Sequence, residues 1–282
     1  MSNLLVRTLT GAVFAIVVLG SILWGPYAQT VVFSVFMMLG LREFYYLFKG
    51  HEQVHVSTEI GLLIGIFIFF LGIGHSLGWL PDISIILVFP LFFTLILVEL
   101  WKRDPHPMLN ISVLVFGVIY VVVPFYLTID LNLRELSDAH LELSFEGSVM
   151  PLVIGMYLLI WTNDTFAYLT GRLLGKTKLF ERISPKKTWE GTIGGIFMTI
   201  AVGFIIGTFI NPDTRVFWVV SAIICAPCAI YGDLLESLFK RSLNIKDSGN
   251  LLPGHGGILD RFDAALFAIP FFYCWTMIYA YF

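Results

Sequence analysis

Charged residues are scarce in this chain: Asp, Glu, Lys and Arg supply 13% of its 282 residues, about half the share of an average soluble domain. So little polar surface cannot cover a water-soluble body of this length, which excludes an ordinary soluble fold of one or two domains. Cysteine is scarcer still, with three residues, Cys225, Cys228 and Cys274, all in apolar stretches. No disulfide framework follows. Cys225-Ala-Pro-Cys228 has redox-pair spacing, but no thioredoxin-like pattern surrounds it, and thiols in such runs pack as small buried hydrophobes. The six histidines form no cluster with cysteine, which argues against zinc. An excess of positive charge is missing too. The net charge is −3, so nothing marks the molecule as a nucleic-acid binder. There is no low-complexity segment, internal repeat or long linker.

What the chain has in quantity is apolar length. It is 57% hydrophobic, with a mean hydropathy of +0.85. A spanning helix needs about 20 mostly apolar residues. About nine runs qualify, near 8–25, 27–48, 58–79, 83–101, 109–129, 149–171, 190–210, 215–236 and 262–281. Their length and lack of alternation favour helices, and a backbone in lipid must satisfy its own hydrogen bonds. The run from Leu9 to Trp24, behind Arg7, could pass for a signal peptide. Further membrane-length runs follow at once, so it reads as a retained first span.

With the N-terminus in the cytoplasm, 15 of the 17 Lys and Arg residues fall on the cytoplasmic side, and only Arg134 and Arg215 fall opposite. That asymmetry predicts an N-in, C-out topology, with an acidic outer loop from Asp130 to Glu146 that includes Glu135, Asp138 and Glu142. The expected fold is an all-α, polytopic integral membrane protein forming a single membrane-embedded domain over 1–282. Residues 1–130 hold about five spans and are nearly featureless apart from Arg42 and Glu43. Lys49, Lys102 and Arg103 read there as anchors to anionic headgroups. Residues 149–282 should carry the chemistry.

Ionisable groups within spans are costly and functional by default. The sixth span contains Asn163 and Asp164. The eighth ends in Asp233, Glu236, Ser237 and Lys240, positions i, i+3, i+4 and i+7 of one helical face. The ninth opens with Asp260, Arg261 and Asp263, the two aspartates a turn apart. Carboxylates at the cytoplasmic ends of three helices are hard oxygen donors, suited to Mg²⁺ in company with substrate phosphates. The plain alternative is that each acid neutralises a neighbouring Lys or Arg. The crowding of acids beside basic loops favours the metal.

The basic loops supply the opposite charge. Ser184-Pro-Lys-Lys-Thr188 leads through Trp189-Glu190-Gly191 into the seventh span. Hydroxyls and amides at a helix start hold anions, and Lys186 and Lys187 add point charges for phosphate. Lys240, Arg241 and Lys246 form a second basic group. Pro253-Gly254-His255-Gly256-Gly257 lets backbone approach a ligand closely and runs straight into the aspartates of the ninth span. His255 is either a phosphate donor or a helix-start residue. Carboxylates for a divalent cation and lysines for a polyphosphate together meet the main needs of phosphoryl and nucleotidyl transfer. A site at the cytoplasmic membrane edge draws nucleotide from water and lipid from the bilayer.

The stretch from Ser237-Leu-Phe-Lys240-Arg241, through Lys246-Asp247 and His255-Gly-Gly257, to Asp260-Arg261-Phe-Asp263 resembles the signature of the phosphatidate cytidylyltransferases (CDP-diacylglycerol synthases). Ser184-Pro-Lys-Lys-Thr-Trp-Glu-Gly191 and Tyr231-Gly-Asp233-Leu-Leu-Glu-Ser237 resemble other segments of that family, and the length resembles its bacterial form. The resemblance implies that CTP and phosphatidate give CDP-diacylglycerol and pyrophosphate, with Mg²⁺ required. It implies a homodimer in the cell inner membrane, and a two-metal centre near Asp233, Asp260 and Asp263 in which a monovalent cation such as K⁺ fills the second position. On that basis Asp233, Asp260, Lys187, Lys240 and Arg241 are assigned to catalysis. Ser184, Lys186, Lys187, Thr188, Lys240, Arg241, Lys246, His255, Gly256, Gly257 and Arg261 are assigned to substrate, and Asp164, Asn163, Glu236 and Glu190 to supporting positions. Two readings compete. A CTP-dependent polyprenol kinase would release CDP and a lipid phosphate. An ion-coupled transporter would line an ion path with its buried acids and lysines, but such proteins favour repeated halves, and here the polar residues crowd into the back of the chain.

Overall fold

Long apolar runs without internal alternation form helices, because only an intrahelical ladder satisfies each amide in an apolar setting. In the computed structural model these are α1 (Asn3–Trp24), α2 (Pro26–Tyr46), α3 (Thr58–Ser76), α4 (Val88–Lys102), α5 (Pro107–Gly117), α6 (Val123–Ser137), α7 (Leu152–Leu174), α8 (Trp189–Ile210), α9 (Arg215–Ser242) and α10 (Leu259–Tyr281). A 3₁₀ segment, Asp82–Leu87, leads into α4, and a π-helical turn, Val118–Val122, joins α5 to α6. The structure describes residues 3–137, 152–210, 214–245, 247–249, 251, 254 and 256–282, with the backbone alone for 3–7, 134–137 and 210. Among the described residues, seven helical segments are long and apolar enough to cross a membrane: α3, Asp82–Lys102, Pro107–Leu133, α7, α8, α9 and α10. Large apolar side chains such as Phe89, Phe93, Trp101, Phe197 and Phe209 face outward, a surface that lipid rather than water would cover. The chain is a multi-pass, helical membrane protein.

Four details depart from the sequence reading. The segment between α7 and α8 is an antiparallel hairpin, β1 (Lys178–Phe180) and β2 (Ser184–Thr188), so the fold is not purely helical. Pro185 has no amide to donate and is tolerated on such an isolated edge. Second, α6 continues to Ser137, so Asp130 and Glu135 belong to a helix rather than an outer loop; Asp138, Glu142 and Glu146 lie outside the described residues. Third, Lys102 reaches Glu99 Oε1 at 2.5 Å instead of serving only as a headgroup anchor. Glu99 is buried, and a buried carboxylate needs a counter-charge and donors, here Lys102 and the Asn110 amide at 2.9 Å. Fourth, Cys274 is exposed; Cys225 is buried as expected, and all three thiols are free.

The chain forms two units, one of residues 1–133 and 247–261, the other of 134–246 and 262–282. The first packs Phe33, Met37, Leu41, Phe44 and Tyr45 of α2 with Phe69 of α3, Leu114 of α5 and Phe125 of α6, all buried. The Tyr45 hydroxyl donates to the Leu114 carbonyl at 2.9 Å. The second centres on Phe217, Trp218, Ala222 and Cys225 of α9 with Phe272 of α10. There α7 and α8 meet along small residues: a methyl on Gly191 would lie 2.6 Å from the Ala167 carbonyl, and one on Gly195 2.9 Å from Asn163 Oδ1.

Candidate active site

In the second unit α9 carries Asp233, Glu236, Ser237 and Lys240 on one face. Ser237 Oγ donates to Asp233 Oδ1 at 3.2 Å, and Lys240 Nζ to Glu236 Oε2 at 2.6 Å. Gly232 sets the depth of this face. A methyl there would lie 2.6 Å from the Asp263 carbonyl and 3.0 Å from Ala264 Cα, so only glycine admits so close an approach of α10. Asp263 is half-buried and lies within electrostatic range of Glu236, Asp233 and the exposed Asp164. The signature acids of this unit thus share one neighbourhood.

The hairpin delivers a cation to it. Lys187 Nζ sits 2.7 Å from Asp233 Oδ2 and also reaches the Ile230 carbonyl at 3.5 Å. Strand alternation places Lys186 on the other side, exposed. Ser184 is half-buried at the start of β2. Thr188 is buried and caps α8: its Oγ1 accepts the Gly191 amide at 3.2 Å, the third residue of the helix, as an N-cap requires. Glu190 accepts the Lys176 and Thr177 amides at 3.1 Å each, fixing the entrance to the hairpin. Asn163 is fully buried on α7, and neither atom of its amide has a hydrogen-bond partner among the described residues. Arg241 is exposed and donates to the Ile245 carbonyl at 3.3 Å.

The first unit holds the glycine loop. Gly256 has φ of +80°, a left-handed conformation that glycine adopts at little cost. Asp260 Oδ2 accepts the Gly257 amide at 2.8 Å and the Ser248 amide at 3.0 Å, so this acid ties the loop down. Arg261 is exposed. Lys246 and His255 lie outside the described residues.

Comparison with known proteins decides what kind of arrangement this is. A profile of the cytidylyltransferase family matches residues 5–279. The chain belongs to that family. Its relatives include proteins named phosphatidate cytidylyltransferase from Staphylococcus aureus strain COL, 30% identical over 94% of this chain and 96% of the relative, and from Staphylococcus saprophyticus, 30% identical with the same coverage. Another of that name, from Haemophilus influenzae, is 39% identical over 43% of this chain and 44% of its own length. The expected family and enzyme class are borne out, and the transporter reading is set aside.

For a cytidylyltransferase the chemistry of the donors matters most. Asp233, Glu236, Asp263 and Asp164 offer only oxygen, a set that fits Mg²⁺ and not a thiolate- or imidazole-bound metal. Among the described residues no three His, Cys, Asp or Glu side chains form a ready-made cation cluster. Two of the acids instead hold lysines, Lys187 on Asp233 and Lys240 on Glu236. The plain alternative raised by the sequence, an acid neutralised by a neighbouring base, therefore describes Asp233 and Glu236, with substrate-assigned lysines as the bases. One residue was singled out in the sequence without a role. Glu43 of α2 accepts the Leu259 amide at 3.0 Å. An acid near the end of an apolar helix was the available signal, but nothing local named its partner.

Proposed function

We propose that this cytidylyltransferase makes CDP-diacylglycerol and pyrophosphate from CTP and phosphatidate at the cytoplasmic edge of the cell inner membrane. The observation that carries the proposal is the alternation of lysine and carboxylate in the second unit, in a chain whose relatives bear the name of that activity. A phosphate monoester has its second pKa near 6, so phosphatidate is largely a dianion at neutral pH and attacks the CTP α-phosphorus without a strong general base. The difficulty is repulsion between two polyanions. Lys187 and Lys240 exchange their carboxylates for substrate phosphates and screen that repulsion, with Lys186, Arg241, Arg261, Lys246 and His255 as further phosphate contacts. Ser184 and the glycine loop at Gly256 and Gly257 orient the nucleotide. The family resemblance, and not the placement of the two units, is what names Asp233, Asp260 and Asp263 as the residues that would hold Mg²⁺ and a second, monovalent cation such as K⁺. Bound there, the ion supplies charge neutralisation at the attacking and leaving oxygens. Glu236, Asp164 and Asn163 support those ligands, while Thr188 and Glu190 hold β2 in place.

The same proposal includes nine spans, α1 and α2 among them, with the N-terminus inside and the C-terminus outside. The lysine and arginine asymmetry supports it. A homodimer is proposed on the family resemblance. Purified protein incubated with labelled CTP, phosphatidate and Mg²⁺ should form CDP-diacylglycerol and release pyrophosphate, and UTP and dATP should not replace CTP. Release of CDP with phosphorylation of a polyprenol instead would transfer the assignment to a lipid kinase.

A further inference from the structure

The head of α10 lacks a cap of its own. The residue before Leu259 is Ile258, whose side chain has no oxygen to accept a first-turn amide, although those amides need acceptors. The acceptor comes from 216 positions away, where Glu43 Oε2 takes the Leu259 amide at 3.0 Å. The glycine loop is shaped around the same carboxylate. A methyl on Gly249 would lie 2.8 Å from Glu43 Oε1, and one on Gly257 would collide with Oε2. Gly40, one helical turn earlier on α2, gives Leu259 and Ile258 their seat, with a methyl there 3.5 Å from the Leu259 side chain. A negative charge at a helix start is also favoured by the helix dipole. Two acids therefore fix this segment: Glu43 at its helical end and Asp260 across the Ser248 and Gly257 amides.

We propose that Glu43 is a positioning residue for the reaction, holding the glycine loop and the head of α10 in the form that presents Gly256, Gly257 and Asp260 to substrate. This rests on the function proposed above. The test joins a structural readout to a kinetic one. Hydrogen exchange over residues 247–261 is compared in parent, Glu43→Ala, Glu43→Gln and a Glu52→Gln control at an exposed position. Losing a hydrogen bond to a charged acceptor should speed exchange in that segment by about tenfold or more while α3 to α5 exchange as in the parent. In the same preparations kcat/KM should fall by a similar factor, with KM for CTP or phosphatidate shifted. Glu43→Gln, which retains one acceptor oxygen, should lie between, and Glu52→Gln should match the parent. Unchanged exchange overturns the inference. So does faster exchange with parental kinetics, or a loss of kcat with both KM values unmoved, because that pattern reports only fewer folded molecules. If Glu43→Ala does not fold, the Glu43→Gln comparison decides by the same criteria. A parent that makes no CDP-diacylglycerol refutes the proposed function instead, while the exchange data still report whether Glu43 holds the loop.

Discussion

Replacing Lys187 with methionine keeps the aliphatic stem and removes only the charge, and the structure sets two magnitudes that differ widely. In the protein as seen, the ammonium lies 2.7 Å from Asp233 Oδ2, with the two side chains 25% and 37% exposed. A pair this open to solvent contributes about 0.2–1 kcal/mol to stability, so the melting temperature should fall by no more than about 4 °C. In the reaction the same ammonium is assigned to a substrate phosphate. A charge-assisted hydrogen bond lost there costs about 1.5–3 kcal/mol, which is about 10- to 150-fold in kcat/KM. The assay is initial-rate CDP-diacylglycerol formation in mixed micelles, with thermal unfolding followed on the same samples. A third sign separates this account from simple damage. On the proposal that Asp233 holds a cation, Lys187 is that cation's competitor, so Lys187→Met should bind Mn²⁺ more tightly than the parent when no nucleotide is present. Kinetics within about twofold of the parent would refute the phosphate role. Weaker Mn²⁺ binding would refute the competition.

The parts of this molecule that were legible in the sequence are those in which local pattern and final structure obey one rule. Apolar runs near the thickness of a bilayer had to be helices, and the i, i+3, i+4, i+7 spacing placed Asp233, Glu236, Ser237 and Lys240 together because α9 passes through all four without interruption. The hairpin was not legible: three residues in β1 and five in β2 are too few for an alternation signal, and its register slips between its two pairs. Thr188 was noticed for the right position and assigned a different task. A hydroxyl at a helix start serves an anion or its own amides, and only its burial and its bond to Gly191 show that it caps α8. Glu43 was out of reach because its meaning lies in an amide 216 residues away, and no periodicity spans that interval. Gly232 looked like one small residue among 25 glycines until α10 lay against it.

Asp260→Asn should abolish turnover while the protein stays folded and membrane-inserted. Both amides bound by Asp260 meet the same oxygen, Oδ2, so an asparagine oxygen can keep the loop tied while the charge is gone; near-parental activity would remove Asp260 from the cation site. Glycine-to-alanine exchanges test the packing of α9 against α10 by their sign. Within a helix that exchange ordinarily stabilises by about 0.5–1 kcal/mol, and Gly20 of α1, with nothing within 4 Å of an added methyl, should follow that rule. Gly232→Ala should reverse it. The new methyl would meet the Asp263 carbonyl at 2.6 Å, Phe267 Cβ at 2.9 Å and Ala264 Cα at 3.0 Å. Two of these are backbone atoms of α10, so no rotamer change relieves the clash and the helices must separate. Overpacking of this kind costs about 1–3 kcal/mol, and separation would draw Asp233 away from Asp263, so activity should fall together with thermal stability. Parental stability and rate in Gly232→Ala would show that α10 yields at this point, and that the approach of the two aspartates does not depend on the missing side chain.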